Sequence, residues 1–254
     1  MPIMRVEDVS KNFGGLDALK RVSFTLYEGQ VKALIGPNGA GKTTLFNLIS
    51  GVDRPTAGHI YFRDHDLGTL RRHEAAGLGI GRTFQHSKVF DDMTVLDNVK
   101  VGRYQRGRAG IFSSFFSLRR HRNEERQVRE TAFEALKRVG LEAQAGELAG
   151  NLPMGDRHLL EIARSLATEP TVLLLDEPAA GLNNDETDRL ADLVRQIRDN
   201  GVTILLVEHD MGFVMDISDE VVVLDYGKKI AEGPPLMIQN DEEVIRAYLG
   251  DDLA

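Results

Sequence analysis

The feature that most restricts the fold of this chain is a glycine-rich segment, Gly36-Pro-Asn-Gly-Ala-Gly-Lys-Thr-Thr44, which fits the pattern G-x-x-x-x-G-K-[S/T]. An apolar run of strand length, residues 31–35, precedes it, and a run with helical spacing, residues 42–50, follows it. Glycines allow backbone N–H groups to turn inward around phosphates, and the positive end of the following helix favours the same anions. We therefore predict a phosphate-binding loop in an α/β fold. The residues expected to hold the phosphates are Gly36, Pro37, Asn38, Gly39, Ala40, Gly41, Lys42, Thr43 and Thr44.

A second motif is the apolar run at residues 172–175 that ends in two carboxylates, Asp176 and Glu177. Consecutive apolar residues are typical of a strand buried on both faces of a parallel sheet, and ligands collect where such strands end. We expect Asp176 and the Thr43 hydroxyl to ligate Mg²⁺, Lys42 to reach the β- and γ-phosphates, and Glu177 to act as general base. An Asp-Glu-Pro sequence alone is equally typical of a solvated turn. The phosphate loop in the same chain favours an ATPase.

The spacing of apolar residues divides the chain into segments of different type. Residues 94–168 have helical periodicity, whereas strands and helices alternate before and after them. We expect one domain over residues 1–254. Residues 1–92 and 169–254 are expected to form a P-loop NTPase core with a mainly parallel sheet, together with an N-terminal antiparallel β part. Residues 93–168 are expected to form an inserted helical subdomain. Within it, residues 102–122 are rich in Arg, Ser and Phe and are interpreted as an insertion or mobile hairpin.

Composition narrows the function classes. No apolar run approaches the roughly 20 residues that cross a bilayer. The chain has no cysteine, which excludes disulfides and thiolate metal sites. The net charge is −8, whereas dedicated nucleic-acid binders are more often basic. We therefore do not expect nucleic acid as a partner.

The segment from Leu152 to Arg164, Leu-Pro-Met-Gly-Asp-Arg-His-Leu-Leu-Glu-Ile-Ala-Arg, resembles the signature of ABC ATPases, which is usually L-S-G-G-Q followed by a helix. The order of phosphate loop, glutamine loop, signature, paired acids and histidine is also similar to that family, and the resemblance covers essentially the whole chain. It implies that the signature residues contact ATP held by a second ATPase subunit. These residues are Leu152, Pro153, Met154, Gly155 and Asp156.

The same resemblance assigns roles to residues that spacing alone leaves undecided. It implies that Phe13 stacks on adenine, that Gln85 ligates Mg²⁺ and couples to the membrane domain, and that residues 181–183 form the D-loop. It also implies that His209 contacts the γ-phosphate, so that the catalytic set is Glu177, His209 and Lys42.

Several segments narrow the resemblance to the larger ATPase subunit of branched-chain amino acid importers. They are residues 179–183, Glu208-His-Asp-Met211, residues 245–250 and the insertion at 102–122. The resemblance implies ATP and Mg²⁺ as cofactors, and a place on the cytoplasmic face of the inner membrane as a peripheral subunit. The implied partners are a second ATPase, different or identical, two integral membrane permease subunits and, indirectly, a periplasmic substrate-binding protein. The resemblance leaves another cargo open, such as urea or short-chain amides, because similar chains serve those compounds.

The signature departs from the family's pattern at two positions. A serine at position 153 would hydrogen-bond the γ-phosphate of ATP held by the other subunit, whereas Pro153 has neither a hydroxyl nor an N–H. Losing that hydrogen bond could cost about 1.5–3 kcal/mol. Asp156 replaces the usual Gln, and its charge would repel a triphosphate, although near a helix start it could also cap. We expect an asymmetric ATPase pair with one stronger site. Two other classes stay open, a soluble ABC ATPase acting on nucleic acid or ribosomes and an ATP-binding scaffold without turnover.

Overall fold

The computed structural model describes residues 1–70, 74, 77–83, 89–104 and 118–249. The chain forms two compact units. We call the first the core unit, Met1–Arg82, Thr171–Ala180 and Thr187–Ala254, and the second the helical unit, Thr83–Pro170 and Gly181–Glu186. Gln85 and the middle of the expected insertion, residues 105–117, lie outside the described residues. The subdomain boundaries at 92/93 and 168/169 stay predictions; residues 89–92 belong to the helical unit here.

The strands of the core unit form two sheets. Their bounds are β1 Pro2–Phe13, β2 Leu16–Tyr27, β3 Val31–Ile35, β4 Ala57–Phe62, β5 His65–Asp66, β6 Ile80–Arg82, β7 Val172–Asp176, β8 Thr203–Val207, β9 Glu220–Asp225 and β10 Lys228–Gly233. An antiparallel sheet has the order β2-β1-β4-β5, and a larger sheet has the order β10-β9-β3-β8-β7-β6. In the larger sheet every pairing is parallel except β10 with β9. The predicted fold class is confirmed.

The helices that follow the strands of the core unit complete its hydrophobic core. The first, α1, spans Lys42–Ile49 and buries Leu45, Phe46, Leu48 and Ile49. These side chains share one apolar cluster with alternating residues of β2 and with residues of β7, β8 and β9. The phosphate loop therefore connects a fully buried strand to a helix that is anchored along its apolar face.

The helical unit is built from three longer helices. They are α2 Val95–Tyr104, α3 Leu118–Arg138 and α4 Met154–Leu166, and they pack through Val99, Leu136 and Leu160, which are at most 1% exposed. Further α-helices in the described part of the chain are α5 Asn184–Asp199, α6 Met211–Ile217, α7 Pro235–Gln239 and α8 Glu242–Leu249.

The segment 102–122, interpreted as an insertion or mobile hairpin, is helical at both ends, so no hairpin begins or ends there. Residues 102–104 continue α2, and α3 begins at Leu118, inside this segment. Arginine is a good helix former, so the arginine-rich stretch extends the helix although it lacks the apolar spacing that periodicity detects. In the described part of the chain, no helix combines the length and apolarity that crossing a membrane requires.

Candidate functional site

Three neighbouring strands bring the sequence-predicted residues to one edge of the parallel sheet. Leu34 of β3 and Asp176 of β7 both pair with Val207 of β8. The phosphate loop begins two residues after Leu34, the carboxylate pair begins at Asp176 itself, and the histidine segment follows Val207. Parallel strands end at the same edge, so the three segments emerge side by side, where α/β proteins bind ligands.

The phosphate loop depends on the absence of side chains at particular glycines. Gly36 has φ 145°, and a Cβ there would lie 2.0 Å from the carbonyl oxygen of Leu224 on β9. Gly39 has φ 84° but open space around it. At the helix start, Gly41 accepts the N–H of Leu45 at 2.9 Å, no side chain caps α1, and its first turn carries no acidic residue. The first N–H groups and the positive helix end are therefore available to an anion.

The two glycines give a prediction with an internal control. We expect Gly36→Ala to lower the free energy of unfolding by about 2–4 kcal/mol, because backbone strands must separate to admit the methyl group. Gly39→Ala adds only the strain of a left-handed residue, about 1–2 kcal/mol. Urea unfolding of both variants measures the difference. Equal losses would contradict the packing argument.

Lys42 is only 8% exposed and holds the loop from inside. Its Nζ donates to the carbonyl oxygens of Gly36 at 2.5 Å and Pro37 at 3.0 Å. Burial lowers the pKa of Lys42, and the negative charge of Glu177 acts in the opposite direction. The structure thus brings Lys42 within electrostatic range of the proposed general base.

Asp176 is bound to an arginine that the sequence did not identify. Arg82, at the end of β6, donates from Nη2 to Asp176 Oδ2 at 3.0 Å. Its Nη1 donates to Asn47 at 2.8 Å and to Ser50 at 2.6 Å, both at the end of α1 or just after it. Burial raises the pKa of Asp176, while the hydrogen bond and charge of Arg82 lower it and Glu177 raises it. Arg82 therefore fixes the orientation of the acid and joins it to α1.

Glu177 has an unusual backbone conformation. Its φ is 48°, a conformation that costs a residue with a Cβ about 1–3 kcal/mol and persists only where its surroundings impose it. Its N–H donates to the Val207 carbonyl oxygen at 2.9 Å, and its carbonyl oxygen accepts the N–H of Ala180 at 3.2 Å. Asp176 is buried and Glu177 is partly exposed. This difference fits the separate roles expected of them, Mg²⁺ ligand for Asp176 and general base for Glu177.

His209 follows β8 with a side chain that is 63% exposed, and the residue before it is Glu208, whose carboxylate is fully buried. Glu208 Oε1 accepts the N–H of Ala179 at 2.8 Å, and Oε2 accepts the N–H of His209 at 2.9 Å. In the sequence, Glu208 is noticeable only as part of a resemblance. The signal that could have identified it is a charged residue placed directly after the apolar run at residues 204–207.

Phe13 ends β1 and is 49% exposed, with the Lys11 ammonium 4.8 Å from the centre of its ring. Lys11 is in turn fixed by Asp53 at 2.8 Å and the Arg54 carbonyl oxygen at 2.8 Å. An exposed aromatic ring of fixed orientation is suited to stacking, and its role toward adenine stays a prediction.

The residues proposed for Mg²⁺ fit that ion chemically. Thr43 is exposed in the first turn of α1, and Asp176 supplies one carboxylate. Among the described residues, no group of three or more Asp, Glu, His or Cys side chains could hold a metal by itself. Mg²⁺ prefers oxygen ligands, keeps several waters and commonly uses one or two carboxylates with substrate phosphates. Gln85 lies outside the described residues, so its role toward Mg²⁺ stays a prediction.

The signature belongs to the helical unit. Pro153 is the N-cap of α4 with φ −54° and ψ 159°, Met154 is 59% exposed and Asp156 lies in the first turn. Asp156 is therefore not the capping residue. Arg157 donates to the carbonyl oxygens of Leu152 at 3.1 Å and Gly150 at 2.6 Å, which fixes the backbone that leads into the helix.

Gly155 lies against a neighbouring carboxylate. A Cβ there would lie 2.7 Å from Glu186 Oε1. Glu186 accepts the Asn183 N–H at 2.9 Å, and Asn183 accepts the Glu186 N–H at 3.0 Å. This reciprocal pair is a capping box at the start of α5. It places a second acid, besides Asp156, beside the signature.

Comparison with known families and proteins gives consistent matches. The ABC transporter family matches residues 19–180, and a family described as branched-chain amino acid ATP-binding cassette transporter matches residues 228–254. The chain is 44% identical to the high-affinity branched-chain amino acid transport ATP-binding protein LivG of Escherichia coli (strain K12), over 98% of each chain. It is 42% identical to BraF of Pseudomonas aeruginosa, a protein of the same description, again over 98% of each chain.

Solved structures are similar over the same extent. A nucleotide-free ATP-binding cassette from an ABC transporter has a TM-score of 0.87 and 34% identity, covering 99% of this chain and 100% of that one. The ADP conformation of an ATP-binding cassette of an ABC transporter has the same TM-score, identity and coverage.

Proposed function

Since the chain belongs to the ABC transporter family of ATP-binding subunits, we propose that it hydrolyses ATP to drive import of branched-chain amino acids. The observation that supports this cargo is the near-full-length match to two proteins of branched-chain amino acid transport. A separate match of residues 228–254 to a branched-chain amino acid family supports it. The arrangement of the phosphate loop, Asp176 and Glu177 at one sheet edge supports the hydrolytic role.

The nucleotide is held by the loop and by the start of α1. Backbone N–H groups of the loop bind the phosphates, Lys42 neutralises their charge, and Phe13 supports the adenine. Thr43, Asp176 and Gln85 would hold Mg²⁺, which when bound offsets negative charge on the phosphates.

Hydrolysis then depends on two side chains at the ends of neighbouring strands. Glu177 accepts a proton from the attacking water, and His209 donates to the γ-phosphate. The signature of a second ATPase completes the site and excludes other water. ATP binds the closed pair more tightly than the open one, and this difference in affinity is the free energy available for transport.

The proposed assembly pairs this chain with a second ATPase, two membrane permease subunits and, indirectly, a periplasmic substrate-binding protein. The chain would lie on the cytoplasmic face of the inner membrane as a peripheral subunit. The match to the ABC transporter family supports this assembly.

Co-purification tests this proposal. Tagged Glu177→Gln chain is isolated with MgATP from gently solubilised membranes of its own cell, with Lys42→Ala as matched control. We expect two multi-span proteins and a second ATPase to co-purify with the tagged chain. In cells, uptake of labelled leucine should require the wild-type chain. Recovery alone or with ribosomes or nucleic acid would contradict the transport role. Intact assembly with uptake of urea or amides would correct the cargo only.

The acidic signature gives a separate prediction for the assembled transporter. We propose that Pro153 and Asp156 weaken the ATP site that this signature completes in the partner. Changing Pro153→Ser together with Asp156→Gln should raise hydrolysis up to about tenfold, since one recovered charged hydrogen bond is worth about 1.5 kcal/mol. Pro153→Ala is the control without a hydroxyl. An unchanged rate in the double variant would contradict the asymmetry.

A further inference from the structure

One fully buried carboxylate connects the two segments that carry the proposed catalytic side chains. Glu208 is 0% exposed. Oε1 accepts the N–H of Ala179 at 2.8 Å from the segment after β7, and Oε2 accepts the N–H of His209 at 2.9 Å and of Asp210 at 3.4 Å from its own segment. A carboxylate without water is retained in a fold when several N–H groups compensate its charge.

The same contacts act on the strained residue of the site. Glu177 keeps its φ of 48°, and its N–H is held by the Val207 carbonyl oxygen at 2.9 Å. Two residues further on, the buried N–H of Ala179 is held by Glu208. Both acceptors belong to the segment that continues into His209. The backbone conformation of Glu177 is therefore imposed by the segment that carries His209.

We propose that Glu208 is a positioning residue that holds Glu177 and His209 in one geometry relative to the same phosphate. The inference rests on the proposed hydrolytic function, and it assigns to Glu208 no contact with the nucleotide. Oε2 also lies 3.5 Å from His209 Nδ1, so the carboxylate is adjacent to the imidazole as well as to its backbone. Catalytic groups must be held close to their productive geometry, and small displacements reduce the rate more than they reduce binding.

Glu208→Gln is the first test, because the amide has the same size but only one acceptor oxygen. Whichever way the amide is oriented, an NH₂ group faces N–H groups of one segment. We expect kcat for ATP hydrolysis by the full chain in its assembled complex to fall about tenfold or more, with KM for ATP and the Kd of MgATP within about twofold of wild type. Glu232→Gln, a carboxylate paired with Lys32 and Lys229 outside the site, is the matched control.

Glu208→Asp is the second variant and keeps the charge. Its side chain is one methylene shorter and cannot reach both segments, so we expect a similar loss of kcat. If it hydrolyses ATP within about twofold of the wild-type rate, the connection between segments is not what matters and the proposal is wrong. It also replaces the first test should Glu208→Gln fail to fold.

Amide hydrogen exchange provides a readout that does not depend on hydrolysis. The Ala179 amide should exchange about tenfold faster in Glu208→Gln, with β3 unchanged. Faster exchange with normal kcat, or reduced kcat with normal exchange, would each overturn the proposal.

A double variant tests whether Glu208 and His209 act together. In a His209→Ala background the loss of kcat caused by Glu208→Gln should shrink, because the effects of residues that act as a unit are not additive. Full additivity would also overturn the proposal. Absence of ATP hydrolysis by the wild-type chain in its assembled complex would instead contradict the proposed function itself.

Discussion

Glu177→Gln is expected to bind MgATP as the wild-type chain does and to hydrolyse it at least about a hundredfold more slowly, the range for loss of a general base. The amide has the same size and leaves the backbone contacts of Glu177 with Val207 and Ala180 in place. What changes is the partly exposed carboxylate, which is the proposed acceptor for the proton of the attacking water. Single-turnover hydrolysis and equilibrium ATP binding measure the two effects separately.

Glu177→Gly separates the carboxylate from the strained backbone. Glycine adopts φ 48° without a steric cost, so this variant should hydrolyse ATP as slowly as Glu177→Gln. It should be less destabilised than a substitution that loses a side chain elsewhere, because the strain disappears with it. Hydrolysis near the wild-type rate in Glu177→Gln would exclude Glu177 as the base and direct attention to another acceptor.

Lys42→Ala is expected to abolish tight nucleotide binding, with the Kd of MgATP raised at least about a hundredfold, equivalent to roughly 2.7 kcal/mol. Two losses combine. The phosphates lose a buried cation, and the carbonyl oxygens of Gly36 and Pro37 lose the ammonium that holds the loop. Titration calorimetry with MgATP measures the change.

Two further variants distinguish charge from packing at this position. Lys42→Met retains most of the buried stem without the ammonium, so we expect it to bind as poorly as Lys42→Ala. Lys137→Ala removes an exposed lysine of α3 and should leave binding unchanged. Binding by Lys42→Met within about threefold of wild type would show that the stem, and not the charge, maintains the loop.

Local patterns were sufficient for the elements around the site. The strand Val31–Ile35, the helix from Lys42 and the strand Val172–Asp176 lie where the apolar runs predict them. Each combines a strong pattern with an unambiguous terminus. The helix start at Leu118 was not predicted because its first turns are polar, so that propensity and not apolar spacing decides there.

The contacts of Arg82 and Glu208 could not be predicted in the same way. Arg82 is 94 residues from Asp176, and Glu208 is 29 residues from Ala179. Local patterns of residue spacing cannot detect contacts between residues that lie so far apart in the sequence. Both partnerships follow from the order of strands β8-β7-β6, which places chain segments that are distant in sequence next to each other.

The sequence by itself determined the phosphate loop, the paired acids, the order of the motifs and hence the family, because loop chemistry and strand-to-helix transitions are encoded by adjacent residues. Only the tertiary structure decided how those residues are held. It showed that Gly36 must be glycine because of the Leu224 backbone, that Arg82 binds Asp176, and that Glu208 joins the segments of Glu177 and His209. Burial and long-range hydrogen bonding are properties of the packed chain, since they depend on which distant segments become neighbours.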